Sequence, residues 1–290
     1  MKMERLNPQC ITCLLNKHLT DFPENFSSSQ KTEYMQGILK IIADANISMS
    51  APEIFEQIND FKASFGKKED FKEIKRYFNN LMLSFEKEIE LQIESSDNPL
   101  KTAVKYAMAG NFIDFGAMDN IDQDKLQETL NKSQDIFISQ DEFKKFESEI
   151  SIAKNIVYLT DNCGEIVLDK LLIKRILKFN SNVEINVIVR GKPVLNDCTI
   201  EDANQVGLDE LVTVIDNGTA IPGTAINKIS QEAKSLIEKS DLIISKGQGN
   251  FETLQYSGKN IYYLFLCKCK MFADRFGVDR LTGMFIQECL

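Results

Sequence analysis

The stretch Asn155-Ile156-Val157-Tyr158-Leu159-Thr160-Asp161-Asn162-Cys163-Gly164-Glu165 decides how this chain is read. Its first six residues (NIVYLT) are rich in β-branched and aromatic side chains, which suits a short strand. An Asp-Asn pair and a glycine then break the run, and an amphipathic segment follows over 165–179. Strand, polar turn and helix in that order open a βαβ unit. Further candidate strands lie at 183–190 (VEINVIVR), 211–215 (LVTVI), 241–245 (DLIIS) and 260–266 (NIYYLFL), with a second amphipathic segment at 225–239. This alternation predicts an α/β domain over residues 151–290, a three-layer α/β/α sandwich with a mostly parallel sheet.

Residues 1–150 read differently. Ser27-Ser28-Ser29 can cap a helix running through KTEYMQGILKIIADAN, and Ser50-Ala51-Pro52-Glu53 places a proline in the first turn of a short helix. A longer helix is expected over 69–94, with Phe71, Ile74, Phe78, Leu81, Phe85, Ile89 and Ile93 on one stripe. Asp97-Asn98-Pro99 restarts the chain into LKTAVKYAMAG. No period-two pattern interrupts these segments. The α/β domain is therefore preceded by an all-helical N-terminal region, a layer or cap over 1–150.

Composition narrows the chemistry. The 290 residues contain one histidine, His18, so catalytic units or metal sites built on several imidazoles are disfavoured. Lys plus Arg number 34 against 43 Asp plus Glu, net −9, a balance that repels phosphate backbones and anionic lipid. Neither nucleic acid nor a membrane is expected as a partner. Seven scattered cysteines do not make a disulfide scaffold, the N-terminus lacks an apolar signal core, and the run at 261–267 is too short to span a bilayer. A soluble cytoplasmic protein is expected, of open oligomeric state.

In open α/β sheets ligands sit beyond the carboxyl ends of the strands. Those ends here carry Asp161-Asn162, Arg190, Asn196-Asp197, Asp216-Asn217-Gly218 and Lys246-Gly247-Gln248-Gly249-Asn250. Asp161, Asn162 and Asp197 offer hard oxygen donors that suit Mg²⁺ or Mn²⁺ shared with a phosphate. Lys246 and Arg190 are cations suited to the same anion. Each has a plainer reading. Asp161-Asn162 can form a turn or helix cap, Asp197 can cap a helix starting near Glu201, and the Lys246 loop can be a flexible turn lacking the third glycine of GxGxxG.

Four motifs then occur in a fixed order: Gly110-Asn111-Phe112-Ile113-Asp114-Phe115-Gly116, Asp161-Asn162-Cys163-Gly164-Glu165, Asn196-Asp197-Cys198-Thr199 and Lys246-Gly247-Gln248-Gly249-Asn250. Together they resemble the metal-dependent damage-control phosphatases, members of which have been described as acidic-residue methyltransferase-like. The Cys10-x-x-Cys13 pair resembles its archaeal and bacterial subfamily. The resemblance implies hydrolysis of small phosphomonoesters such as sugar phosphates, nucleotides or phosphopantetheine-type damaged metabolites. It implies a divalent cation (Mg, Mn, Co or Ni) held by Asp161, Asn162 and Asp197. It puts Asn111 and Asp114 at the border of the pocket and Lys246 and Asn250 near the phosphate, with Asp161 and Lys246 expected in catalysis; Glu165 and Arg190, at their strand ends, are also expected around the substrate. Metal-activated water and Asp161 itself both stay open as nucleophile. An Asp-x-Asp phosphatase route fits less well, because Asp161 is followed by Asn162-Cys163.

Cys10 and Cys13 have a spacing suited to a structural metal or a redox pair, and Cys267 with Cys269 is the natural second pair. The plainer alternative, unlinked thiols, fits the CxC spacing better. His18 reads as a surface or capping residue, and the charge run at 119–124 as a solvated loop. Two other functions compete: an S-adenosylmethionine-dependent carboxyl methyltransferase, which lacks the usual glycine-rich loop after the first strand, and a non-enzymatic metal-binding protein, which leaves the polar strand ends unexplained.

Overall fold

The computed structural model describes residues 5–288 except positions 20, 24, 67–69 and 112–122, and only part of the side chains over 123–132. Among the described residues, seven α-helices precede the first strand: α1 (Pro8–His18), α2 (Ser28–Asp44), α3 (Ala51–Ser64), α4 (Lys72–Glu94), α5 (Pro99–Gly110), α6 (Gln123–Asn131) and α7 (Gln140–Ile152). Strands and helices then alternate: β1 (Asn155–Leu159), α8 (Glu165–Phe179), β2 (Glu184–Val189), α9 (Ile200–Gln205), β3 (Thr213–Asp216), α10 (Gln231–Lys239), β4 (Leu242–Lys246), α11 (Gln248–Leu254), β5 (Ile261–Leu266), α12 (Lys270–Phe276) and β6 (Gly283–Glu288). The helix starts follow local chemistry. Ser27 opens α2 through a capping box with Gln30, and the Ser50 amide donates to Glu53 Oε2 at 2.8 Å at the head of α3.

The strands form one sheet in the order β3-β2-β1-β4-β5-β6. All neighbours are parallel except β6, which runs antiparallel to β5. Val157 on β1 lies beside Asn186 on β2 and Ile243 on β4, so β1 and β4 meet at the centre. Chain direction across the sheet reverses there, which leaves a crevice at the carboxyl ends of these two strands.

Two apolar layers cover the sheet. Ile156, Tyr158, Val187 and Tyr262 face Leu168 and Leu172 of α8, Phe78 and Met82 of α4, Ala103 and Ala107 of α5, and Phe146 of α7. Val157, Leu159, Ile188 and Tyr263 face Ala233 and Ile237 of α10, Phe251 of α11 and Phe272 of α12. The N-terminal helices thus divide: α4 to α7 share the sheet's core, while α1 to α3 form their own cluster (Leu14, Tyr34, Ile38, Ile54, Ile58) closed by Val194.

Four details depart from the sequence reading. β6 was not expected; it is a short edge strand whose polar end, Gln287-Glu288, masks the alternation. β3 begins at Thr213, two residues late. α10 begins only at Gln231, because the Ser230 hydroxyl accepts from the Ala233 amide and makes Ser230 the cap. His18 is 1% exposed rather than superficial, stacked against Phe55 with centroids 6.2 Å apart. Asp114 and positions 119–122 lie outside the described residues, while Gln123 and Asp124, expected in a loop, open α6. No helix among the described residues is long and apolar enough to cross a membrane.

Candidate functional site

The turn after β1 is held by the loop after β2. Asn162 and Asp197 form an isolated antiparallel bridge, in which the Cys163 amide donates to the Asn196 carbonyl and the Cys198 amide to the Asp161 carbonyl, at 2.9 and 2.8 Å. The helix-cap readings of these residues do not hold. The cap of α8 is Gly164, with no side-chain hydrogen bond, so neither Asp161 nor Asn162 caps it. The cap of α9 is Thr199, boxed with Asp202, so Asp197 does not cap that helix. Three oxygen-bearing side chains are placed together without serving the helices beside them.

Arg190 fills the floor of this site, 2% exposed. Its Nε donates to Asp197 Oδ2 at 2.6 Å, its Nη2 to Asp161 Oδ1 at 3.4 Å and its Nη1 to Asn250 Oδ1 at 3.0 Å and the Gly223 carbonyl at 3.1 Å. Asn250 completes the brace, its amide donating to the Thr160 and Lys246 carbonyls at 3.0 and 2.7 Å. All the polar atoms of Asn250 are used within the protein. Arg190 and Asn250, expected at the substrate, fix the strand ends that carry Asp161 and Asp197.

A second group of polar side chains lies on the other side of Asp161. Asn111, at the end of α5, donates to Asp161 Oδ2 at 3.1 Å and Glu165 Oε2 at 3.2 Å, and accepts from the Leu266 amide at 2.9 Å. Asn162 donates to Asp161 Oδ2 at 2.9 Å and Glu165 Oε2 at 3.0 Å. Lys246, expected beside a phosphate, is enclosed with 0% exposure, its Nζ 2.6 Å from both Glu165 Oε1 and Asp169 Oδ1. Tyr158 donates its hydroxyl to the same Asp169 oxygen at 2.7 Å. Asp169 and Tyr158 were not singled out in the sequence. Asp169 lies four residues after Glu165, among the buried residues of an amphipathic helix, and that carboxylate between apolar neighbours was the available signal.

The electrostatics follow from burial. Burial, followed by repulsion from Asp197 and Glu165, raises the Asp161 carboxyl to about 7. Burial also raises Asp197, against the pull of Arg190. Asp169 is raised by burial to about 6 despite Lys246. Burial works against the Lys246 ammonium, but Asp169 and Glu165 more than offset it and hold the cation above its ordinary range. Four carboxylates (Asp161, Asp197, Glu165, Asp169) bond directly to two buried cations (Arg190, Lys246), so acid exceeds base among the bonded groups, with Lys268 and Lys75 acting on Asp161 and Asp197 without bonding them. A divalent cation would offset that excess, and two carboxylates with an amide oxygen are donors such an ion takes. The donor set fits.

Elsewhere the fit is poorer. Among the described residues no three His, Cys, Asp or Glu side chains gather to hold a metal, so the pairs Cys10/Cys13 and Cys267/Cys269 do not form a four-thiol site. All four are free thiols; Cys269 and Glu252 lie near enough to Cys10 to add to the upward push that burial gives its thiol. Cys163 and Cys198, 3.7 Å apart at sulfur, are buried and raised by that burial, which suits packing behind the site rather than reactivity. A cavity of about 940 Å³ lies between α3, α4 and the loop after β2, lined by residues including Lys75, Arg76, Val194 and Asp202; it does not include Asp161, Asn162 or Asp197.

Comparison with known proteins agrees with this architecture. The model of the damage-control phosphatase ARMT1-like domain matches residues 6–282. A protein of unassigned function from Methanocaldococcus jannaschii is 30% identical over 95% of this chain and 93% of its own length. A damage-control phosphatase from Archaeoglobus fulgidus is 30% identical over 95% of this chain and 96% of its own. The crystal structure of a DUF89 family protein from Pyrococcus horikoshii superposes with a TM-score of 0.82 at 28% identity, covering 97% of this chain and 98% of that one.

Proposed function

Because the chain belongs to the damage-control phosphatase ARMT1-like family, we propose that it is a divalent-metal-dependent phosphatase of small phosphomonoesters. Sugar phosphates, nucleotides and phosphopantetheine-type metabolites form its substrate class. The observation that carries this reading is the bridge between Asn162 and Asp197, which gathers Asp161, Asn162 and Asp197 at the crevice between β1 and β4. These three side chains would hold the ion. An ion of the Mg, Mn, Co or Ni class supplies charge neutralisation for phosphoryl oxygens and lowers the pKa of water.

The chain's own residues do the rest. Arg190 keeps Asp161 and Asp197 apart and aimed, by bonding one oxygen of each. Both oxygens of Asp161 accept hydrogen bonds, from Arg190 on one side and from Asn111 and Asn162 on the other. A carboxylate immobilised in this way is suited to be a ligand, so water is the preferred nucleophile over Asp161. Hydrolysis then needs the phosphoryl group held in line with that water, a positioning task that a rigid, buried site performs well. Asp161→Ala tests the assignment: metal-dependent phosphate release should disappear while far-ultraviolet circular dichroism stays that of the wild type. Full activity in that variant contradicts the reading.

A further inference from the structure

The buried chain of hydrogen bonds beneath the site has a direction. Tyr158 donates to Asp169, Lys246 donates to Asp169 and to Glu165 Oε1, and Glu165 Oε2 accepts from the amides of Asn162 and Asn111. Tyr158, Asp169, Lys246 and Glu165 are each 0% exposed. We propose that these four side chains form a positioning relay whose output is the orientation of the Asn162 amide, and that Lys246 acts through Glu165 rather than by touching the phosphoryl group. The inference rests on reading the site as a divalent-cation centre.

The argument is one of donors and acceptors. An amide group has one acceptor and one donor end. The NH₂ of Asn162 is claimed by two carboxylate oxygens, Asp161 Oδ2 and Glu165 Oε2. Its Oδ1 is therefore turned away from them, which makes it available as a ligand. Glu165 can do this only while Oε2 faces the amides, and the ammonium on Oε1 fixes which oxygen that is. Asp169 in turn fixes the ammonium, and the Tyr158 hydroxyl fixes Asp169. Among the described residues Lys246 Nζ bonds only Glu165 and Asp169, and its enclosure suits positioning better than contact with a ligand. Outer groups of this kind typically change metal affinity or activity by about 10–100-fold when removed.

Isothermal titration of the full chain, stripped of divalent ions, with Mn²⁺ alone reads this directly. Glu165→Gln keeps the shape but turns an NH₂ toward the two asparagine amides or toward Lys246, and either outcome sets donor against donor. It should bind Mn²⁺ about 10–100-fold more weakly. Asp169→Asn should lose about tenfold, and Tyr158→Phe, which removes only the far hydroxyl, a few-fold at about the scale of one buried hydrogen bond. The double variant Glu165→Gln/Asp169→Asn should be little weaker than Glu165→Gln alone, because both act on one amide. Tyr158→Phe is the mildest change and keeps the test open if a more central variant does not fold. Mn²⁺ affinities within twofold of wild type in all three single variants overturn the proposal, as does a wild-type chain that binds no Mn²⁺. A wild type that binds Mn²⁺ but releases no phosphate removes the phosphatase reading and leaves the relay standing; normal binding in the variants alongside metal-dependent phosphate release does the reverse.

Discussion

A β-carbon placed on Gly247 would lie 2.0 Å from Oδ2 of Asp161. The residue also has φ +80°, a conformation side chains rarely adopt. The turn after β4 therefore approaches the carboxylate as closely as it does because it has no side chain there. Gly247→Ala must move either the turn or Asp161. It should lower phosphate release at least about tenfold and cost about 1–3 kcal/mol of stability, the usual scale of forced backbone strain. Steady-state kinetics and denaturant unfolding check the two effects separately.

Arg190→Met leaves buried Asp197 and half-buried Asp161 without the cation that bonds both. Breaking a buried pair from one side typically costs about 3–5 kcal/mol. The metal-free protein should lose about that much, and saturating Mn²⁺ should restore more stability to the variant than it adds to the wild type. Thermal unfolding in EDTA and in Mn²⁺ gives both numbers. An equal metal-induced shift in the two proteins contradicts this account of the site's charge.

Metal affinity should depend on pH. The Asp161 carboxyl is raised to about 7 and Asp197 is raised with it, so below neutrality a proton occupies a group the cation needs deprotonated. Affinity for Mn²⁺ should therefore rise from pH 6 toward pH 8, by up to about tenfold per unit below 7, and level off above. Titrations in buffers of different ionisation enthalpy should show proton release on binding at pH 6.5.

Half-buried Glu252 gives a second pH effect, independent of metal. Burial lifts its carboxyl from 4.5 to about 7, although Gln248 donates to it at 2.7 Å. The folded state thus holds a proton that the unfolded chain has already released. The stability this contributes is fully present below about pH 4.5 and is lost as pH rises through 7. Glu252→Gln keeps an acceptor for Gln248 and removes the titration. Its stability relative to wild type should grow by about 1–3 kcal/mol between pH 4.5 and 7.5, read by urea unfolding at each pH.

The sheet was legible because its central strands are buried on both faces: NIVYLT and NIYYLFL carry their own signal, and β1 begins at the expected Asn155. β6 was not, since an edge strand pairs on one side and tolerates Gln287 and Glu288. Within the site, Asp161, Asn162 and Asp197 could be picked out as oxygen donors at strand ends, but not that Cys198 reaches back to the Asp161 carbonyl. In the sequence Lys246 reads as an ammonium beside a phosphate, in a glycine-flanked turn. Its enclosure depends on Asp169, a residue 77 positions away whose side chain only the packed helix brings to it. Buried polar pairs of this kind are long-range facts, invisible to local pattern.

The measurement closest to the central claim is phosphate release from a panel of sugar phosphates, nucleotides and phosphopantetheine, in EDTA and with Mg²⁺, Mn²⁺, Co²⁺ or Ni²⁺ added back. The account predicts turnover of at least one phosphomonoester that EDTA abolishes and a divalent ion restores. Folded protein that releases no phosphate with any of these ions, or that turns over equally well in EDTA, contradicts it.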